Sequence, residues 1–162
     1  MKFSWISESP EQTEAIGEIL AKHVVPPITL ALQGTLGAGK TALVRGLVRQ
    51  FDSKCLVRSP TYALAHTYPT DPRVHHVDLY RVQNLDLLDL GIENLLDDAE
   101  AIVCIEWPDH LQNPLPEKCI QIEFKEGSQF HRELVFSFSK SFSSDWVLTL
   151  QHNLLETTSN AG

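Results

Sequence analysis

The stretch "GTLGAGKT" at residues 34–41 constrains the fold more than any other feature of this sequence. It fits the pattern Gly-x-x-x-x-Gly-Lys-Thr, in which glycines admit positive φ and let backbone N–H groups approach an anion closely. The apolar run "ITLALQ" precedes it, and "KTALVRGLVRQF" follows with helical spacing. The stretch therefore predicts a polyphosphate-binding loop between a buried strand and the amino end of a helix, whose dipole favours an anion.

Two side chains of this loop have specific expected tasks. Lys40 can reach the β- and γ-phosphates of a nucleotide, and the Thr41 hydroxyl can ligate Mg²⁺. A glycine-rich turn that binds nothing would not need a lysine and a threonine in succession. An N-K-x-D element, usual in guanine-specific GTPases, is absent from the sequence, which favours ATP. The expected nucleotide-binding set in the loop is Gly34, Leu36, Gly37, Ala38, Gly39, Lys40, Thr41 and Ala42.

Strand and helix patterns alternate along the chain, which predicts an α/β fold of the P-loop NTPase type with a mostly parallel central sheet flanked by helices. The alternation at Tyr62, Leu64, His66 and Tyr68 predicts an extended stretch over 59–69, and "VHHVDLYR" predicts a strand over 74–81. Closely spaced strands at 62–80 and 118–139 predict antiparallel additions. A helix is expected over 9–24, with Ser9 as N-cap and Pro10 at its first position, and another over 84–100, broken near Gly91. We expect a single domain over 1–156, ending in a helix over 144–156, and a disordered tail over 157–162.

Charge is unevenly distributed, although the chain carries a net charge of −8. Residues 19–70 contain six basic side chains and one acid, a surplus of five positive charges. This segment is either a solvated helix face that carries Arg45 and Arg49, or a patch for phosphates or a phosphate-bearing partner. Three cysteines without C-x-x-C spacing, no signal-peptide pattern and no membrane-length apolar run predict a soluble, cytoplasmic protein with reduced thiols.

Two acids follow apolar strands and could complete a phosphoryl-transfer site with a hydrated metal. Glu106 ends the continuous apolar run "AIVCIE", typical of a central strand, whereas His75 and His76 interrupt the run before Asp78. By hydrophobic pattern Glu106 is therefore the better candidate. Either acid could instead cap a surface turn.

The adjacent histidines point to opposite faces of a strand, so they are not expected to ligate one metal ion; we expect one packed and one exposed ring. "SPTY" at 59–62 is either a turn around Pro60 or a switch-like loop whose Thr61 senses the γ-phosphate. Trp107 is either a core residue or an exposed partner contact.

Taken together, "GTLGAGKT", "SPTY", "HHVDLYR" and "IEW", with "EQTEAIGEILA" near the amino end, resemble the TsaE family, the P-loop ATPase of bacterial tRNA threonylcarbamoyladenosine synthesis. The matching blocks run from about residue 11 to residue 107. The resemblance implies ATP and Mg²⁺ as cofactors. It also implies the TsaB and TsaD proteins as partners, with tRNA reached through their complex and adenosine 37 as the modified base.

The resemblance also assigns roles to residues. Lys40 would neutralise phosphate charge, Thr41 would ligate Mg²⁺, Asp78 would be the carboxylate near the metal, and Glu106 would position water or metal. Thr61 would be the switch-loop hydroxyl, Trp107 would help at the nucleotide or partner surface, and Thr13 would lie near the adenine. The sequence departs from the family pattern at Thr35, where an acid is usual, at Ala42, where a second threonine is common, and at Tyr62, where phenylalanine is usual.

Three functions stay open at this point. The first is an accessory ATPase with slow hydrolysis on its own. The second is a small-molecule kinase, which needs a lid arginine; Arg73 and Arg81 are the only arginines between residues 59 and 131. The third is a nucleotide-responsive binding module without useful turnover.

Overall fold

The computed structural model describes residues 1–60, 62–82, 90–127 and 131–159, with side chains up to residue 156. Its strands are β1 (Lys2–Ser7), β2 (Ile28–Gly34), β3 (Ala65–Tyr68), β4 (Arg73–Asp78), β5 (Ala101–Glu106), β6 (Cys119–Glu126) and β7 (Arg132–Phe138). Its helices are α1 (Pro10–His23), α2 (Lys40–Phe51), the single turn α3 (Glu93–Leu96), a 3-10 turn at Pro108–His110, and α4 (Ser144–Ser159).

The seven described strands form one sheet in the order β1-β7-β6-β2-β5-β4-β3. The four central strands, β6, β2, β5 and β4, run parallel to one another, whereas β1, β7 and β3 pair in antiparallel fashion at the two sides. The α/β class, the parallel centre and both antiparallel additions are thus confirmed. Because parallel strands end at the same edge, the carboxyl ends of β2, β4, β5 and β6 meet there.

Each face of the sheet has its own apolar layer. On one face α1, α2 and α4 pack against the strands, with Leu20, Leu47 and Leu150 fully buried. On the other face a smaller cluster joins β4 and β5 to the region around α3, with Val77 and Ile105 at its centre. Covering on both faces explains why every residue of β5 is buried.

Helices α1 and α2 are packed backbone to backbone. A Cβ placed on Gly46 of α2 would lie 1.8 Å from the carbonyl oxygen of Glu14 in α1, so only glycine fits there. Ser9 caps α1, since its side chain accepts a hydrogen bond from the Gln12 N–H, and Pro10 is the first helical residue, as predicted. The contact fixes α2, which begins at the phosphate loop, against α1.

Two predicted strands are shorter in the structure. The extended stretch 59–69 contains a strand only from Ala65, because Ala63 closes a turn back to Pro60 and Leu64 has a φ of 66°. The strand predicted over 74–81 ends at Asp78, whose carboxylate accepts the Tyr80 N–H and begins a turn.

The other helix and tail predictions have mixed outcomes. The break near Gly91 is confirmed by its φ of 67°, while residues 83–89 of the helix predicted over 84–100 lie outside the described residues. Helix α4 continues to Ser159, and residues 160–162 lie outside the described part, so the disorder of the tail stays a prediction. Within the described residues, none of the helices combines the length and the apolar character needed to cross a membrane.

Candidate nucleotide-binding site

The phosphate loop connects the central strand β2 to the first turn of α2. Gly37 and Gly39 have φ values of 78° and 107°, a region that other residues rarely adopt, and Gly39 is the N-cap of α2. Ala38 is buried and Leu36 is 70% exposed, so the loop has an anchored base and an open tip. The glycines therefore allow the backbone conformation that the sequence pattern predicts for an anion-binding loop.

Lys40 carries the positive charge of the site. Its Nζ donates to the carbonyl oxygens of Gly34 and Thr35, each at 2.8 Å, and lies 4.4 Å from the centre of the Trp107 ring. Burial lowers the pKa of the ammonium, and the carboxylates of Glu106 and Asp78 act in the opposite direction. The charge is thus held against the loop in a partly desolvated position, where electrostatic interactions are stronger than in water.

Thr41 and Glu106 join the phosphate loop to the end of β5. The Thr41 hydroxyl donates to Oε1 of Glu106 at 2.8 Å, and the same oxygen lies 2.8 Å from Nε2 of the fully buried His76. Glu106 itself is only 4% exposed. A hydroxyl that donates its proton keeps its lone pairs, so Thr41 can bond Glu106 and ligate a cation at the same time.

Asp78 ends β4 directly beside Glu106, its register partner on β5. Its Oδ2 accepts the Ser59 hydroxyl at 3.0 Å and its Oδ1 accepts the Tyr80 N–H at 2.9 Å. The structure therefore brings both predicted acids to the edge at which the phosphate loop lies. Glu106 is bonded to the loop through Thr41.

The side chains at this edge of the sheet suit one kind of metal ion. Among the described residues, no group of three His, Cys, Asp or Glu side chains lies close enough to hold a metal. Mg²⁺ bound with a nucleotide does not need such a group, because it keeps several waters and takes phosphate oxygens as ligands. One hydroxyl at Thr41 and the neighbouring carboxylates fit that ion, and they do not fit a cation held by protein ligands alone.

Trp107 borders the site from the other side. Its backbone is left-handed, with a φ of 60°, and its N–H donates to the Leu32 carbonyl oxygen at 3.1 Å. The ring packs 5.1 Å from the ring of Tyr80 and 5.7 Å from that of His110. Trp107 is half-buried: its ring packs against these neighbours and also covers the Lys40 ammonium.

The remaining predicted residues lie at different distances from this centre. Thr13 is buried in α1 and shares a hydrogen bond with the Ser7 hydroxyl; a Cβ on Gly39 would lie 3.6 Å from its methyl group, so it adjoins the loop. Its role near adenine stays a prediction. Ala42 is half-buried in the first turn of α2. Thr61 lies outside the described residues, so its switch role also stays a prediction.

Two acids near the loop were missed by sequence reasoning. Thr35, which replaces the usual acid of the resembling family, donates to Oε1 of Glu126 at 2.9 Å, so β6 supplies a carboxylate beside this position. Glu14 of α1 pairs with Arg45 at 2.7 Å and Arg49 at 2.9 Å. The single carboxylate of Glu14 is shared by two arginines and offsets one charge of the basic segment, which agrees with the solvated helix face. No sequence signal links these partners, because each pair spans distant elements.

The expectation of one packed and one exposed histidine is wrong. His76 is fully buried towards the site, and His75 is 4% exposed on the opposite face. Nδ1 of His75 lies 2.9 Å from the Thr67 hydroxyl and its Nε2 lies 3.0 Å from Asp98. Both rings are buried because β4 is covered on both faces, which a strand interrupted by polar residues does not reveal.

A groove of about 750 Å³ lies elsewhere, lined by Val25, Asp71, Arg73 and Glu100 among others. These residues precede or begin β2, β4 and β5, so the groove is at the amino ends of the parallel strands. In open α/β sheets ligands bind at the carboxyl ends. The chemistry at the phosphate loop, rather than the size of this groove, therefore identifies the candidate site.

Comparisons with known proteins point to one family. The family model described as "Threonylcarbamoyl adenosine biosynthesis protein TsaE" matches residues 7–134. The tRNA threonylcarbamoyladenosine biosynthesis protein TsaE of Bacillus subtilis is 29% identical over 84% of this chain and 85% of its own, and that of a Nostoc species is 31% identical over 86% and 88%. The crystal structure of Bacillus subtilis YdiB superposes with a TM-score of 0.76 and 23% identity, covering 98% of this chain and 97% of that one, so it shares the fold.

Proposed function

Because this chain belongs to the TsaE family, we propose that it binds and hydrolyses ATP in the biosynthesis of threonylcarbamoyladenosine on tRNA. The observation that carries the proposal is the 2.8 Å hydrogen bond between Thr41 of the phosphate loop and Glu106 at the end of β5. It brings a hydroxyl for the metal and a carboxylate for water together, beside the buried Lys40. Phosphoryl transfer needs these parts in one place.

Binding of the nucleotide is assigned to the loop and to Lys40. The N–H groups at the start of α2 and its dipole favour phosphate oxygens, and the Lys40 ammonium can exchange its two carbonyl partners for them. Thr41 would hold Mg²⁺, with Asp78 and Glu106 as the nearby carboxylates. When bound, the ion neutralises charge on the β- and γ-phosphates.

Hydrolysis is assigned to the two strand-end acids. Glu106 is held by two hydrogen bonds at Oε1, so its carboxylate has a fixed orientation from which it can accept a proton from an attacking water. Asp78 is held by Ser59 and by the Tyr80 N–H, which places a second negative charge next to it. We expect slow hydrolysis by the protein alone and faster hydrolysis with its partners.

Coupling to a partner complex is part of the proposal. Leu36 at the loop tip and Tyr62 at the end of the "SPTY" segment are 70% and 87% exposed, and such apolar side chains beside a catalytic site are suited to burial by another protein. The motif resemblance names TsaB and TsaD as the partners, with tRNA contacted through them.

The kinase alternative has less support. Arg73 binds Asp98 and Glu100 at the amino end of β4, the opposite edge of the sheet from the phosphate loop. Arg81 lies over the ring of Tyr62, 4.2 Å from its centre. Among the described residues, the contacts of these two arginines do not include the phosphate loop.

The experiment is ATP hydrolysis by the purified protein, alone and with TsaB and TsaD. The proposal predicts a slow rate alone and clear stimulation by the pair, which the Lys40→Ala variant does not show. Absence of stimulation together with rapid phosphorylation of a metabolite would favour the kinase. Full stimulation of Lys40→Ala would contradict the assignment of the site.

A further inference from the structure

His76 is the buried polar residue of the site to which neither the sequence pattern nor the family resemblance gives a task. Its ring is fully buried on the face of β4 that carries Asp78, two residues further along the strand. Its Nε2 lies 2.8 Å from Oε1 of Glu106 on the neighbouring strand. The contact therefore joins β4 to the candidate catalytic carboxylate.

The direction of this hydrogen bond follows from the chemistry of its partner. An ionised carboxylate only accepts hydrogen bonds, so Nε2 of His76 must carry the proton and donate. The other nitrogen, Nδ1, is buried and has no hydrogen-bond partner in the described part of the chain. A buried polar atom without a partner costs free energy, so an apolar side chain would be the better choice if His76 served packing alone.

Glu106 receives two donors at one oxygen. Thr41 Oγ1 and His76 Nε2 both bond Oε1, each at 2.8 Å, and they come from the phosphate-loop helix and from β4. With Oε1 fixed from two sides, the carboxylate cannot rotate freely, and neither bond uses Oε2. Charge-assisted hydrogen bonds of this kind are stronger and more directional than neutral ones.

We infer that His76 is a positioning residue, which holds Glu106 in the orientation in which Oε2 meets water or the hydrated Mg²⁺ and Oε1 receives the Thr41 hydroxyl. The inference rests on the proposed function and names a residue through which that site is organised. His76 touches neither nucleotide nor metal in this account; it acts through Glu106. Its neighbour His75 is also buried on this strand, but it faces Thr67 and Asp98, away from the site.

The test compares His76→Leu, His76→Gln and the control His75→Leu. Leucine removes the donor, whereas the glutamine amide can donate to Glu106 in place of Nε2. ADP binding is measured by calorimetry with Mg²⁺ and with EDTA, and thermal unfolding checks that each variant is folded. The quantity compared is the ratio of ADP affinity with Mg²⁺ to ADP affinity in EDTA. We expect this ratio to be about tenfold smaller in His76→Leu than in the wild type, close to the wild-type ratio in His76→Gln, and unchanged in His75→Leu.

A double-mutant cycle shows whether His76 acts through Glu106. In ATP hydrolysis, His76→Leu should lower kcat with little change in KM, and it should have almost no further effect in a Glu106→Ala background. An equal loss in both backgrounds, or a Mg²⁺ gain in His76→Leu equal to that of His75→Leu, would overturn the inference and leave the proposed function intact. Failure of the wild type itself to bind ADP would instead overturn the proposed function.

Discussion

Thr41 and Glu106 are 65 residues apart in the chain and share a 2.8 Å hydrogen bond, from the first turn of α2 to the last residue of β5. The bond exists because β2 and β5 are parallel neighbours, so the loop after β2 and the end of β5 lie at one edge of the sheet. It connects Thr41, whose hydroxyl is suited to ligate Mg²⁺, to Glu106, whose carboxylate is suited to orient a water molecule.

Replacing Glu106 by glutamine should separate chemistry from binding. The amide oxygen can still accept the Thr41 hydroxyl, so the local geometry is kept, while the charge and the capacity to accept a proton are lost. We expect partner-stimulated ATP hydrolysis to fall about a hundredfold or more, and ADP affinity measured in EDTA to change by no more than a few-fold. An unchanged single-turnover rate would exclude Glu106 as the residue that orients or activates water.

Thr41 offers a matched pair of variants. Thr41→Val keeps the shape and removes the hydroxyl, and Thr41→Ser keeps the hydroxyl. Since one hydroxyl lone pair is assigned to Mg²⁺, the valine variant should lose at least about tenfold in ADP affinity with Mg²⁺ present and little in EDTA. The serine variant should retain most of the Mg²⁺ effect. Equal losses with and without Mg²⁺ would mean that Thr41 affects binding by another route.

Gly46 should reverse the usual effect of a glycine in a helix. In an exposed helix, Gly→Ala stabilises by about 1 kcal/mol. Here a Cβ would lie 1.8 Å from the Glu14 carbonyl oxygen, so α1 and α2 must separate, and we expect Gly46→Ala to lower the free energy of unfolding by about 1–3 kcal/mol. Urea denaturation measures this, with exposed Gln50→Ala in the same helix as the control. A stabilised Gly46→Ala protein would contradict the close helix contact.

Much of this fold follows from the sequence, because its signals are local. Helix α2 spans the predicted residues Lys40–Phe51, Ser9 caps α1 as predicted, and the apolar run before Glu106 is a fully buried strand. The start of β3 was misplaced because the alternation at Tyr62 and Leu64 occurs in a turn, where the backbone path rather than the side-chain pattern decides.

The site was predictable in its loop and in its two acids, but not in the partners that hold them. His76 was judged only as a metal ligand, because nothing in its surroundings in the sequence shows that it faces Glu106. The contact between Thr35 and Glu126 spans 91 residues and depends on β6 lying beside β2. Such contacts follow from strand order, which one sequence without an alignment does not specify.

Asp98, at the edge of the sheet away from the site, should make the free energy of unfolding depend on pH. Hydrogen bonds from Arg73, and then from His75, lower the pKa of this carboxyl. Because the folded pKa lies below the unfolded value of about 3.9, the ionised pair stabilises the fold above that value, and the contribution is lost as pH falls through the folded pKa. The difference in urea midpoint between wild type and Asp98→Asn should therefore be larger at about pH 5 than at about pH 3. Exposed Asp97→Asn is the control, and a difference that grows on acidification would contradict the sign.

The central claim is that ATP turnover at this loop serves tRNA modification. The most direct measurement is the threonylcarbamoyladenosine content of tRNA, by mass spectrometry, in bacterial cells depleted of their own TsaE and supplied with this protein, Glu106→Gln or Lys40→Ala. The account predicts that the wild-type chain restores the modified nucleoside and that both variants, present at equal levels, do not. Full restoration by either variant would contradict it.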